Sequence, residues 1–173
     1  PGTNGPLSID YASSLDFGVQ KITSKDQTYF AATQKYKTVG ATDEVKEGPN
    51  YVQVTDNRGT EAGWSLKVKQ EGQFKSTSGK ELTGAAITFK NGNVVTASDS
   101  GKPTGPATIT LNSDGSQSDV MSAAKGNGAG TYLFDWGADA TTAAKSIELT
   151  VPGSTTKYAE KYATKLTWTL TDA

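Results

Sequence analysis

An all-β fold follows from three features of the 173-residue sequence. Apolar and polar residues alternate with period two in nearly every readable stretch. Turn-forming Asn, Asp and Gly punctuate those stretches, and helical periodicity is thin. The expected architecture is an antiparallel β-sandwich or Greek-key-like barrel of about eight to ten strands with few short helical turns. The antiparallel sense follows from one-sided strands, each with one apolar and one wet, Thr-rich face. The length suits a single domain over residues 1–173, since domains commonly run to roughly 100–200 residues.

The chain opens Pro1-Gly2-Thr3-Asn4-Gly5-Pro6 without methionine, which reads as a processed or engineered start ahead of the domain. Residues 27–50 are expected to hold short strands joined by loops. Tyr51-Val52-Gln53-Val54 reads as a strand. The turn Asp56-Asn57-Arg58-Gly59 is expected to join it in a hairpin to Trp64-Ser65-Leu66-Lys67-Val68-Lys69. Asn91-Gly92, between Ile87-Thr88-Phe89 and Val94-Val95, is the strongest short hairpin signal. Thr108-Ile109-Thr110-Leu111 alternates as a strand, between a Pro/Gly loop at 101–106 and a polar loop at 112–116. Asp119 is placed to cap a helical turn or two through Val120, Met121 and Ala124, closed by Gly126. Residues 131–136 form a strand with Tyr132, Phe134 and Trp136 on one face, and 138–145 hold one short turn. Ile147-Glu148-Leu149-Thr150-Val151 and Leu166-Thr167-Trp168-Thr169-Leu170-Thr171 complete the set.

Composition removes several chemistries. With no cysteine there is no disulfide framework, thiolate metal site or cysteine nucleophile. With no histidine the chain lacks the usual neutral-pH base and cannot build a Ser-His-Asp triad. Seventeen Lys+Arg against 18 Asp+Glu, with Arg58 the only arginine and the lysines scattered, argue against nucleic acid. No apolar run approaches the ~20 residues of a membrane span. Low charge, abundant Thr and Gly and no Cys fit a stable extracellular β-protein of Gram-positive type. No cofactor is expected. The loops near Asp114, Asp135 and Asp139 lack the alternating ligands, glycine and closing Glu of an EF-hand. Lys67, Lys69 and Lys165 fall on the polar phase of their strands, which disfavours an intramolecular Lys–Asn cross-link.

One internal echo stands out. Trp64-Ser65-Leu66 and Trp168-Thr169-Leu170 repeat a Trp-x-Leu pattern, and each Trp shares a strand face with its Leu. The first sits in Gly63-Trp64-Ser65-Leu66-Lys67-Val68 after the Asp56-Asn57-Arg58-Gly59 block, the second in the closing Leu166 to Ala173 stretch. These two blocks resemble the paired signature of the WxL domain family of Gram-positive cell-surface proteins. Leu15-Asp16-Phe17-Gly18, Leu82-Thr83-Gly84-Ala85, Val120-Met121 and Gly128-Ala129-Gly130-Thr131 fit as well, so the resemblance spans nearly the whole chain. It implies a small WxL protein that performs no chemistry and is held non-covalently on the cell wall after secretion. It further implies peptidoglycan, a membrane-anchored WxL-interacting protein, or both as receptors.

The binding residues expected on this basis are Trp64, Leu66, Trp168, Leu170 and Arg58. Each Trp-x-Leu pair reads either as core packing or as an interface face that stacks on a sugar or partner. Arg58 reads either as a solvated turn residue or as a fork for a carboxylate of a peptide stem or partner. Tyr132, Phe134 and Trp136 read as core, with a shallow sugar platform as the other possibility. A carbohydrate-binding module for soluble glycans is the alternative function. A two-carboxylate glycosidase needs no His or Cys, but no carboxylate pair stands out in the loops.

Overall fold

The computed structural model describes residues 2, 3, 5–37, 40 and 44–173. Pro1 and Asn4 of the opening stretch, and residues 38, 39 and 41–43 of the unreadable stretch, lie outside the described residues. In chain order the first strands are β1 (Leu7–Ala12), β2 (Gln27–Phe30), β3 (Gln34–Lys37), β4 (Val45–Gly48) and β5 (Asn50–Asp56). Then come β6 (Trp64–Gln70), β7 (Lys75–Ser76), β8 (Ala86–Phe89), β9 (Gly92–Val95) and β10 (Ile109–Thr110). The last are β11 (Gln117–Ala123), β12 (Gly130–Trp136), the helical turn α1 (Ala140–Ala143), β13 (Ile147–Val151), β14 (Tyr162–Ala163) and β15 (Leu166–Asp172). The fold is all-β, and the ladders between these strands are antiparallel.

Three sheets form the body. The first has the order β1-β5-β12-β9, the second β10-β8-β13-β2 and the third β11-β6-β15. The second and third sheets meet side by side at β10 and β11, and the first faces them both. Ring contacts cross the interlayer space: Phe89 lies 4.8 Å from Trp136, Trp168 lies 6.0 Å from Trp136, and Trp64 lies 6.3 Å from Tyr132. The period-two pattern is what puts these rings inside. Tyr132, Phe134 and Trp136 are all buried, as are Val52 and Val54 beside them on β5. Each such side chain contributes about 2–3 kcal/mol on leaving water. The stripe on β12 is therefore core.

The turns fall where the sequence places them, but two of them do not make hairpins. Asn91 adopts φ 58, as an Asn-Gly turn permits, yet β8 joins the second sheet and β9 the first. Likewise β5 belongs to the first sheet and β6 to the third, so Asp56-Asn57-Arg58-Gly59 opens a crossing between layers. Both turns link strands across the sandwich, because each following strand has its apolar face committed to the opposite layer. The helix expected after Asp119 is replaced by the extended strand β11. A bulge between Asp119 and Met121 turns Val120 and Met121 both inward, which breaks period two and imitates a helical pattern. The short turn expected at 138–145 is α1, closed at its start by a capping box between Asp139 and Thr142. Within 27–50, β2 forms the edge of the second sheet, and β3 pairs with β4 as a separate hairpin.

Candidate binding site

The two Trp-x-Leu strands are neighbours. β15 lies antiparallel beside β6, with Leu170 opposite Leu66, Trp168 opposite Val68 and Asp172 opposite Trp64. Cross-strand partners share a face, so both motifs point to the same side of the third sheet, the inner one. They differ in depth. Trp64 is 0% exposed and Leu66 1%, because β6 is the central strand. Trp168 and Leu170 are half-buried on the edge strand and pack against the core from its rim.

The Trp64 indole is fixed by a buried hydrogen bond from Nε1 to the Gly128 carbonyl, 3.0 Å. Gly128 has φ +82, and a Cβ there would stand 2.7 Å from Trp64 Nε1. The Gly128-Ala129-Gly130 block is thus the seat of the first tryptophan. Gly63, just before Trp64, also has a left-handed φ, +88, and its missing Cβ leaves room for the Ala123 carbonyl.

Arg58 is spent internally. Its Nε and Nη2 fork onto Asp56 at 2.9 and 3.1 Å, Nη2 also reaches the Gly63 carbonyl at 2.8 Å, and Nη1 donates to Asp172 at 2.6 Å. The Arg58 amide donates to Asp56 Oδ1 at 3.1 Å, which closes an Asx-turn. The guanidinium beside it holds the Asp56 carboxyl below its ordinary value, against the opposing effect of burial. Arg58 is itself held protonated by Asp56 first and Asp172 second. The side chain clamps the crossing turn to β15 and leaves little of its fork for a ligand.

A cleft of about 490 Å³ opens between β1 with the loop that follows it and the edge strand β15. Leu15 and Phe17 line one wall, Leu166 and Trp168 the other, with Phe74 and Ile9 between them. Phe17 meets Phe74 edge-on at 6.5 Å. Asp16 Oδ1 accepts the Gly18 amide at 2.8 Å, a local turn that aims Phe17 inward. Trp168 therefore has two contacts: Trp136 in the core behind it and the cleft in front. Of the five expected binding residues, the cleft takes in Trp168. Leu170, opposite Leu66, continues the same strand face away from the cleft, and Trp64 and Arg58 lie at the strand's far end beside Asp172.

Leu15, Phe17, Phe74 and Leu166 were not expected as site residues. The spaced pair Leu15 and Phe17 beside a turn-forming Asp16 and Gly18 was the available signal, while Phe74 joins only through the fold. Eight of the thirteen lining residues are apolar, Thr3, Ser13, Ser14, Thr164 and Thr167 add hydroxyls, and none is titratable, so the site suits burial of a largely apolar surface or ring rather than acid-base chemistry. No group of three or more Asp or Glu among the described residues is arranged to hold a metal. Among the described residues no helix is long and apolar enough to cross a membrane.

A family model described as "WxL domain surface cell wall-binding" matches residues 1–173, the whole chain. No curated protein and no solved structure matches it.

Proposed function

The chain belongs to the WxL family of surface cell wall-binding domains, and from that premise we propose that it is a non-catalytic attachment domain held non-covalently on the Gram-positive wall. Its receptor is the membrane-anchored WxL-interacting protein, peptidoglycan, or both. The carrying observation is the cleft in front of Trp168, where an aromatic ring on an edge strand meets Leu15, Phe17 and Leu166. Apolar side chains outnumber the five Ser and Thr hydroxyls in the lining, and no amide or charged side chain lies among them. That balance favours a protein partner in the cleft: an apolar side chain or strand edge laid against β15. In this reading Trp168 supplies contact surface. Leu170, Trp64, Leu66 and Arg58 hold its strand in place. The location follows the function: extracellular, at the cell wall after secretion.

The test is a pull-down of the purified domain and its Trp168→Ala variant with the companion protein and with purified sacculi. Loss of companion binding in a variant that keeps its β-sheet circular dichroism supports the cleft. Undiminished binding of the variant to both receptors sinks it.

A further inference from the structure

The outer face of the first sheet, like that of the second, is built from strands without a cationic side chain. Its four strands, β1, β5, β12 and β9, contain no lysine or arginine at any position. Two carboxylates face outward on it, Asp10 and Asp135. Asp10 is engaged: burial pushes its carboxyl up, but Thr55, Gln53 and Ser8 all donate to it and together hold it below the ordinary value. Asp135 is not. Its Oδ1 is buried with no hydrogen-bond partner, and burial pushes the carboxyl up to about 6.

What stands beside Asp135 is specific. Tyr51 is its cross-strand neighbour on β5 and Asn93 its neighbour on β9. The Asn93 amide is directed at the carbonyls of Asp135 and Asn91, at 3.1 and 3.3 Å, rather than at the carboxylate. The Tyr51 ring packs on Tyr11 with centroids 4.9 Å apart and planes tilted by 31°. The next row, Tyr11, Gln53, Leu133 and Val95, continues the surface towards β9. A carboxylate oxygen without a donor, beside the Tyr51 ring that packs on Tyr11, in a sheet whose four strands carry no cation, complements a cation. Lysines do stand on β3, whose Gln34 accepts the Tyr11 hydroxyl. Ring faces attract an ammonium, and the carboxylate neutralises it.

We propose that this face, at Asp135 and the Tyr11–Tyr51 pair, binds a free primary amine of the cell-wall peptide. The identity of the source rests on the wall-attachment reading above; the ammonium chemistry rests on the face itself. The site lies on the outer side of the first sheet, whereas the Trp168 cleft lies between β1 and β15, so one molecule can use both.

Two measurements test it. NMR titration with Nα-acetyl-lysine methylamide is expected to give saturable shifts at Tyr11, Tyr51 and Asp135. The Nε-acetylated analogue gives none, and Asp135→Asn weakens the amine probe by ~10–100-fold, the worth of a charge-assisted contact. Equal shifts with the acetylated analogue, undiminished shifts in Asp135→Asn, or no shifts at all overturn the site. Sedimentation with purified sacculi, before and after acetic anhydride caps their amines, tests the source. Retention lost on capping supports the wall amine, and retention indifferent to capping overturns it while wall attachment stands. No retention on untreated sacculi overturns the wall amine as the source and leaves the companion protein as the receptor of the attachment reading, and the soluble probe alone then decides the ammonium chemistry.

Discussion

Arg58 Nη1 stands 2.6 Å from the Asp172 carboxylate, so the turn after β5 is tied to the end of β15. The same guanidinium neutralises Asp56, whose side chain is 1% exposed, whereas that of Asp172 is 72% exposed. The two bonds therefore differ in worth: an exposed pair contributes little, and a buried carboxylate stripped of its partner is costly. Arg58→Ala is expected to lower Tm by about 5 °C or more, and Asp172→Asn by at most a degree or two. Differential scanning calorimetry separates them. Asp56 has a folded value below its ordinary 3.8, so its contribution is fully present above that value and is lost as pH falls through the folded one. Arg58→Ala is expected to flatten the acid limb of the stability profile for that reason.

The two tryptophans of the repeated motif are expected to fail differently. Trp64→Phe removes the indole that fills the centre of the third sheet and leaves the Gly128 carbonyl without its donor. A cost of about 2–4 kcal/mol is expected by urea denaturation, from the cavity and the orphaned acceptor together. Trp168→Ala sits at the rim and is expected to cost less than about 2 kcal/mol while losing companion binding. Equal destabilisation by the two substitutions would show that the motif is purely structural.

The sequence pattern made β5, β6, β12, β13 and β15 legible, because apolar residues two apart mark the core-facing side of each. It misplaced the partners of β5 and of β8. Asn-Gly and Asp-Asn-Arg-Gly chemistry specifies a reversal or corner of the chain, but not whether the next strand pairs locally or crosses to the other layer. It hid β11 because a bulge makes two consecutive residues inward-facing. The short β3 and β4 were unreadable since their side chains are mostly exposed and carry no alternation to detect. Trp168 was legible as a candidate. Its depth was not, since a central and an edge strand share the same pattern and differ only in their neighbours.

Asp135 makes the opposite prediction to Asp56. Its folded value, about 6, lies above its ordinary 3.8, so the folded state holds the proton more tightly. The associated stability is fully present below the ordinary value and is lost as pH rises through about 6. Asp135→Asn, facing Tyr51 on one side and Asn93 on the other, is expected to be more stable than the parent at pH 7. The gain is on the order of 1 kcal/mol once partial solvent screening is allowed for, and it disappears near pH 4. Urea titrations at the two pH values check it.

Gly128 and Gly115 share a left-handed φ, +82 and +87, but not their surroundings. Gly115 has open space where a Cβ would go, so Gly115→Ala is expected to cost about 1 kcal/mol of backbone strain. Gly128→Ala adds a collision with Ala123 and the Trp64 indole and is expected to cost about 3 kcal/mol or more. Tryptophan emission, summed over Trp64, Trp136 and Trp168, is expected to move to the red only in the second variant.

β6 waits for its neighbours. Its partners β11 and β15 are both made later, and nothing translated before Gln117 pairs with it along either edge. Until Leu166–Asp172 arrives, Trp64, Leu66 and Val68 belong to a strand with an open side. The third sheet is therefore completed last, whereas β1 and β5 of the first sheet are both made before β6. β6 presents an apolar face with one unpaired edge in that interval, so a chain interrupted before Leu166 is the form most exposed to edge-to-edge aggregation.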